Sequence, residues 1–278
     1  MVIHQKTKVL FIGSGKGGVG KSTVAVNLAI AIAQQGLKVG LLDADLYGPS
    51  IPIMLGLRRL PPPIEQLASG ENQLIPFSKF GIKVISLGFF IEEARSIIWR
   101  GPMLHSALKK MLENVVWGDV DLLLIDLPPG TGDVLLSLSQ LLPTSHGLIV
   151  CTPQEVAMLD AIKAINAFDQ LEIPLWGIVE NMAGFEVPGT NQIFHIFGEG
   201  KGKELAIRFH TQVLASFPLF PSIRQGGDEG TPCALYPHDP AGQLFQHLAI
   251  TLINNNLQAI KNPFFPQSSA AVLKPLDA

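Results

Sequence analysis

Residues 13–23 read GSGKGGVGKST, and the chemistry they suggest is the gripping of phosphate. Gly15-x-x-x-x-Gly20-Lys21-Ser22 has the spacing of a phosphate-binding loop, in which glycines let consecutive backbone N–H groups converge on phosphate oxygens. Lys21 supplies a point charge to the β- and γ-phosphates, and the Ser22 hydroxyl can ligate Mg²⁺. Gly17, Gly18, Val19 and Thr23 complete the run. A second pattern overlaps it. Gly13-x-Gly15-x-x-Gly18 fits the dinucleotide fingerprint and could use Asp43 or Asp45 as its ribose-binding acid. That reading gives no reason for Lys21 and Ser22 to follow.

A magnesium–triphosphate site needs acids, because Mg²⁺ keeps several waters that carboxylates must hold. The stretch ending LLDAD supplies Asp43 and Asp45, and LLLIDLPPGTGD supplies Asp126. Asp126 is placed as the acid behind the metal, with Asp43 assisting. Asp45, just beyond its strand, is placed to orient an attacking water. Gly130 is expected to offer a backbone N–H to the γ-phosphate.

These residues need a scaffold that brings them to one edge. Apolar runs at 8–13, 38–43, 82–87, 121–126, 147–152, 175–180 and 213–217 read as strands. Most are apolar throughout, as parallel strands covered on both faces must be. Helical spacing joins Met103, Leu104, Ala107, Leu108, Met111 and Leu112, and again Met158, Ile162, Ile165 and Phe168. Asp239-Pro240 supplies an N-cap and a first-turn proline for a last helix. The helix after Lys21 is apolar nearly all round and should be covered on more than one side. The pattern predicts a doubly wound α/β domain with a mostly parallel sheet and helices on both faces, one domain over 1–261. Residues 60–80 read as an excursion between strands, and 262–278 as a tail without a core of its own.

Composition limits the partners. Of 278 residues 47% are hydrophobic and 15% charged, and 20 basic against 23 acidic residues leave a net charge of −3. No basic cluster offers itself to nucleic acid. No apolar run approaches the roughly 20 residues that span a bilayer, and no secretory leader is evident. Two cysteines, Cys151 and Cys233, make no disulfide framework, so a cytoplasmic location is expected.

With Lys16 ahead of GGVGKS, the run resembles the deviant Walker A ATPases, which include MinD, ParA and the nitrogenase iron protein. Six further segments resemble the Mrp/ApbC iron–sulfur carriers in particular: GLLDADLYGPSIPIMLGL (40–57), IIWRGPML (97–104), DLLLIDLPPGTGD (121–133), TPQEVAMLDAIKAI (152–165), GIVENMAGF (177–185) and RQGGDEGTP (224–232). The resemblance implies an ATP- and Mg²⁺-using homodimer in which Lys16 crosses to the partner's nucleotide. It sets Asn181 against the adenine and Asp228, in the loop after Pro218, near the base or ribose. Apoprotein or scaffold clients are implied as well.

One departure stands out. Carriers of this kind have a Cys-x-x-Cys pair in the segment that here reads GFEVPGTNQIFHIFG, and those positions fall on Val187 and Thr190. Neither can ligate iron in an iron–sulfur cluster, which needs thiolates. Cys151 and Cys233 read as packing residues, and His195 as a surface residue near the lost pair. The accessory domain that precedes the loop in many such proteins is not expected here. Two readings stay open: an ATPase of iron–sulfur cluster assembly or transfer, and an ATP-gated regulatory or positioning ATPase that no longer binds a cluster. MinD-like membrane attachment would need a basic amphipathic C-terminal helix. The tail instead has prolines at 263, 266 and 275, so stable membrane insertion is not expected.

Overall fold

The computed structural model describes residues 6–46, 48–58, 60–66, 72–90, 101–130, 132–187, 189–190 and 192–257. The expected tail at 262–278, the stretch 97–100, Tyr47, Thr131 and Pro188 lie outside the described residues.

Among the described residues, twelve strands and eight α-helices follow one another as β1 (Lys8–Gly13), α1 (Lys21–Gln34), β2 (Val39–Asp43), α2 (Ile51–Met54), β3 (Ile64–Gln66), β4 (Asn72–Leu74), β5 (Phe77–Lys79), β6 (Ile82–Ser86), α3 (Gly101–Glu113), β7 (Leu122–Asp126), α4 (Asp133–Leu141), β8 (Ser145–Cys151), α5 (Glu155–Gln170), β9 (Leu175–Asn181), β10 (Phe185–Glu186), β11 (Ile193–Phe194), α6 (Lys201–Arg208), β12 (Val213–Phe217), α7 (Pro221–Glu229) and α8 (Pro240–Asn256). The main sheet has eight strands in the order β12-β9-β8-β1-β7-β2-β6-β5. All its pairings are parallel except β5 on β6.

All seven expected strands form, within a residue or two of their bounds. Side-chain alternation explains why they look apolar throughout. Leu10 and Ile12 of β1 enter one core, with α1, α2 and α8. Val9 and Phe11 enter the other, with α3, α4, α5 and α6. Helices therefore cover both faces of the central strands, and β1, β2 and β7 are buried along nearly their whole length. The expected burial of α1 holds too, since every residue from Val24 to Ile32 is buried.

The excursion at 60–80 is more ordered than its composition implies. It carries the β3–β4 hairpin and then β5, which closes the sheet edge antiparallel to β6. The strands of this region have three residues each, too few to leave a period-2 signal.

The last helix starts where its sequence says. The Asp239 carboxylate accepts hydrogen bonds from Ala241 N at 2.9 Å and Gly242 N at 3.2 Å. Both donors would otherwise lack intrahelical partners, and a cap of this type stabilises by about 1 kcal/mol. Asp239→Ala should therefore lower the unfolding free energy by about 1 kcal/mol in urea titrations followed by circular dichroism, with the slope unchanged.

Candidate nucleotide-binding site

Parallel strands deliver their C-terminal ends to one edge, and the chemistry collects there. β1 runs into the loop 14–20, and α1 begins at Lys21 with Gly20 as its N-cap in the left-handed region at φ 87°. A side chain on Gly20 would strike the Asn181 amide, so glycine is needed there for space as well as for conformation. Gly15 answers a second demand. A Cβ on it would overlap the backbone of Asp160 and Ala161 in α5, so the loop lies directly against that helix.

Register brings the acids together. Asp126 ends β7 between Ile12 of β1 and Asp43 of β2, at the same level of the sheet. Lys21 Nζ donates to Asp126 Oδ1 at 2.8 Å and to Ser22 Oγ at 3.2 Å. The ion pair is buried, with Lys21 6% and Asp126 0% exposed. Burial raises the Asp126 pKa, and the Lys21 ammonium opposes that rise. Asp43 is pushed up to about 8 by burial and by the Asp126 charge one strand away. Its oxygens accept from Ser86 Oγ at 2.9 Å and from the Asp45 amide at 3.1 Å. Ser86 was not foreseen, although it ends β6 directly opposite Asp43.

Asp45 is 8% exposed, accepts from Gly48 N at 3.2 Å and lines a cavity of about 240 Å³. Lys16, Gly17, Gly18, Gly20, Lys21, Ser22, Thr23 and Pro129 also line it. An adjoining cavity of about 410 Å³ shares Gly20, Thr23, Ser50 and Met54 with the first. Its walls are largely apolar, with Ile53, Met182, Phe220 and Ile223, and Asn181 and Asp228 stand on its lining. A small polar, amide-rich cavity opening into a larger apolar one suits a phosphate chain joined to a flat base.

Asn181 is built into the loop. Its Nδ2 donates to Val19 O at 2.8 Å across 162 residues of sequence. The preceding Glu180 is buried at 6% exposure, and its carboxylate accepts from Gly202 N at 2.7 Å and Ser216 Oγ at 3.2 Å. That side chain pins the start of α6 and β12 to the end of β9.

One expectation needs correcting. Asp228 lies on α7 rather than in a loop, where it pairs with Arg224 at 2.7 Å. The stretch RQGGDEGTP hid this helix behind its glycines. The Gly130 N–H donates to Ser14 O at 2.9 Å.

The departure at the lost cysteine pair folds as a hairpin. β10 and β11 pair antiparallel, and Thr190 turns back so that its N and Oγ1 both bond Val187 O at 3.0 Å. His195 Nδ1 meets Ala183 O at 2.9 Å, and its Nε2 lies 3.1 Å from Glu199. Among the described residues no group of three or more His, Cys, Asp or Glu is placed to hold a metal ion. Cys151 and Cys233 are buried in cores on opposite faces of the sheet. Burial pushes both thiols up to about 12. Among the described residues no helix is long and apolar enough to cross a membrane.

A loop of this form between a parallel strand and its helix, with an acid on the neighbouring strand, defines a P-loop nucleotide-binding protein of α/β fold. The chain belongs to the family described as NUBPL iron-transfer P-loop NTPase (ParA), whose model matches residues 5–253. It is 47% identical over 242 residues to an iron–sulfur cluster carrier protein of Helicobacter pylori, a match covering 87% of this chain and 65% of that one. It is 41% identical over 263 residues to an iron–sulfur protein of Arabidopsis thaliana required for mitochondrial NADH dehydrogenase, covering 94% and 82%. Among solved structures it resembles a nucleotide-binding protein from Archaeoglobus fulgidus in complex with ADP, with TM-score 0.70 and 37% identity over 84% of this chain and 89% of that one. The chain thus spans just under two thirds of the Helicobacter pylori protein's length and more of the plant protein's.

Because the thiolate is the reactive form, a thiol with a pKa of about 12 is roughly one part in ten thousand ionised at pH 8. Cys151 and Cys233 should resist iodoacetamide at pH 8 in the native fold and alkylate fully in guanidinium, as read by intact mass.

Proposed function

We propose that the chain is a slow, dimeric Mg-ATPase that acts in the assembly of iron–sulfur clusters or their transfer to apoproteins. The observation that carries the nucleotide half is the buried Lys21–Asp126 pair at the floor of a polar cavity that opens into an apolar one. The carrier half is supported by family membership and by the names of relatives above 40% identity.

The residues present fit a magnesium ion. Asp126 Oδ2 is buried and has no hydrogen-bond partner among the described residues, and the Ser22 hydroxyl stands beside the Lys21 ammonium. Hard oxygen donors of this kind suit Mg²⁺ better than a softer ion. Ser22 and Asp126 would hold it, with Asp43 one strand behind, and it would supply charge neutralisation between phosphates.

The protein's own groups do the rest. Backbone N–H groups of residues 15–23 and the start of α1 receive the phosphates, and Lys21 moves part of its charge from Asp126 onto them. Asp45 orients the attacking water. Asn181, already fastened to Val19, reads the base, with Asp228 at the rim. Lys16 reaches the nucleotide of a second copy.

A second reading is favoured by one feature. Val187 and Thr190 close a hairpin turn at the positions where carriers resembling this chain have thiols, and the chain's two cysteines are buried. The nucleotide half could then serve as a regulatory switch without a cluster of its own.

Two experiments test these readings. Lys21→Ala should lower ATP turnover at least about a hundredfold and weaken nucleotide binding, whereas Asp45→Ala should keep binding and lose turnover. Unchanged hydrolysis in Lys21→Ala would refute the site. Anaerobic incubation with iron and sulfide distinguishes carrier from switch. Thiolate-to-iron absorption that survives desalting supports the carrier, and a colourless protein leaves the regulatory reading.

A further inference from the structure

The lysine assigned above to a partner's nucleotide is held at home in this structure. Lys16 Nζ donates to Gln154 Oε1 of its own chain at 3.0 Å, and both residues are half-buried. Gln154 stands at the N-cap of α5, yet its side chain makes no capping hydrogen bond. Its amide oxygen serves Lys16 instead.

The frame behind this contact is stiff. Gly15 lies against the α5 backbone at Asp160 and Ala161, so the loop and the helix keep their relative position. Releasing Lys16 therefore needs only side-chain rotation and the loss of one hydrogen bond. The nearest acid on the helix is not the anchor, because Glu155 is paired with Lys201 at 2.8 Å. Next to the latch, Val156 and Leu159 of α5 are 67% and 55% exposed, an apolar margin of the kind a second copy would cover.

We propose that Gln154 is a latch. It parks Lys16 on its own subunit, and two nucleotide-loaded copies can join only after both latches open. This inference rests on the reading of Lys16 as a lysine that crosses between copies.

A neutral amide is a suitable anchor for such a part. Its bond to an ammonium is weaker than a carboxylate's and is further weakened by partial exposure to water. The apparent affinity of a partly competent protein falls with its competent fraction, and a dimer meets that fraction twice. A parked-to-free ratio of about three to ten in each copy would weaken the dimer roughly ten- to a hundredfold.

Sedimentation velocity on the full chain, with Mg²⁺ and a non-hydrolysable ATP analogue, tests the latch. Gln154→Leu removes the acceptor and should tighten the dimer about ten- to a hundredfold, while Gln154→Glu should weaken it. Opposite signs are the mark of a latch, since simple damage to α5 would push both variants the same way. Calorimetry on dilute Gln154→Leu should give the wild-type monomer affinity for the analogue. In a Lys16→Ala background Gln154→Leu should gain nothing, which separates the latch from stickiness of the new leucine.

Silence of both Gln154 variants, a weaker dimer in Gln154→Leu, or a gain that persists without Lys16 overturns the proposal. Loss of the dimer in Lys16→Ala alongside silent Gln154 variants removes the latch and leaves the crossing lysine. A Lys16→Ala protein that dimerises like wild type removes both.

Discussion

The ion pair between Lys21 and Asp126 is the constraint on which this structure turns. It joins the first turn of α1 to the last residue of β7, with both side chains buried beside the candidate phosphate cavity. Two opposite charges in such a place compensate each other's desolvation, and either one alone would be several kcal/mol out of balance. The fold around the pair is what makes that burial tolerable. β7 lies beside β1 in the sheet, the phosphate loop leaves β1 directly above Asp126, and α1 returns across the sheet with its apolar length buried. The pair holds the Lys21 ammonium in place, and on the proposed reading an incoming phosphate shares that ammonium with Asp126.

Much of this architecture was legible because parallel strands buried on both faces and a glycine-rich loop leave strong local signals. The seven main strands, α1 and the Asp239 cap of α8 were all readable. What escaped reading depended on proximity in space. Ser86 behind Asp43, Glu180 on Gly202, Asn181 on Val19 and Gln154 on Lys16 are contacts between segments far apart in the chain. Short elements escaped as well. β5, the β10–β11 hairpin and α7 are too brief, or too rich in glycine, for periodicity to separate from loop. Gly130 shows another kind of limit, since its N–H has a competing acceptor in Ser14 that no local pattern announces.

The β10–β11 hairpin is organised differently from the candidate nucleotide site. The hairpin closes with a threonine folded back on a valine carbonyl, and His195 fastens it to Ala183, two residues beyond the end of β9. Met182 lies between Asn181 and Ala183 with φ at 58°, an unusual backbone for a side chain of its size. Candidate nucleotide site and hairpin thus lie at two ends of one short stretch, joined by the His195–Ala183 bond. The family's business with iron and this chain's lack of accessible thiols meet at that stretch.

The buried Glu180 carries one more consequence. By tying Gly202 and Ser216 to the end of β9, it turns the base-side wall, α6 and β12 into a single rigid block. A rigid block recognises what a di- and a triphosphate have in common and is blind to their difference. On the proposed reading, the sensing of one extra phosphoryl group therefore belongs to the opposite wall, where Asp45 lies just beyond β2. Recognition and timing are then divided between the two walls of one cleft.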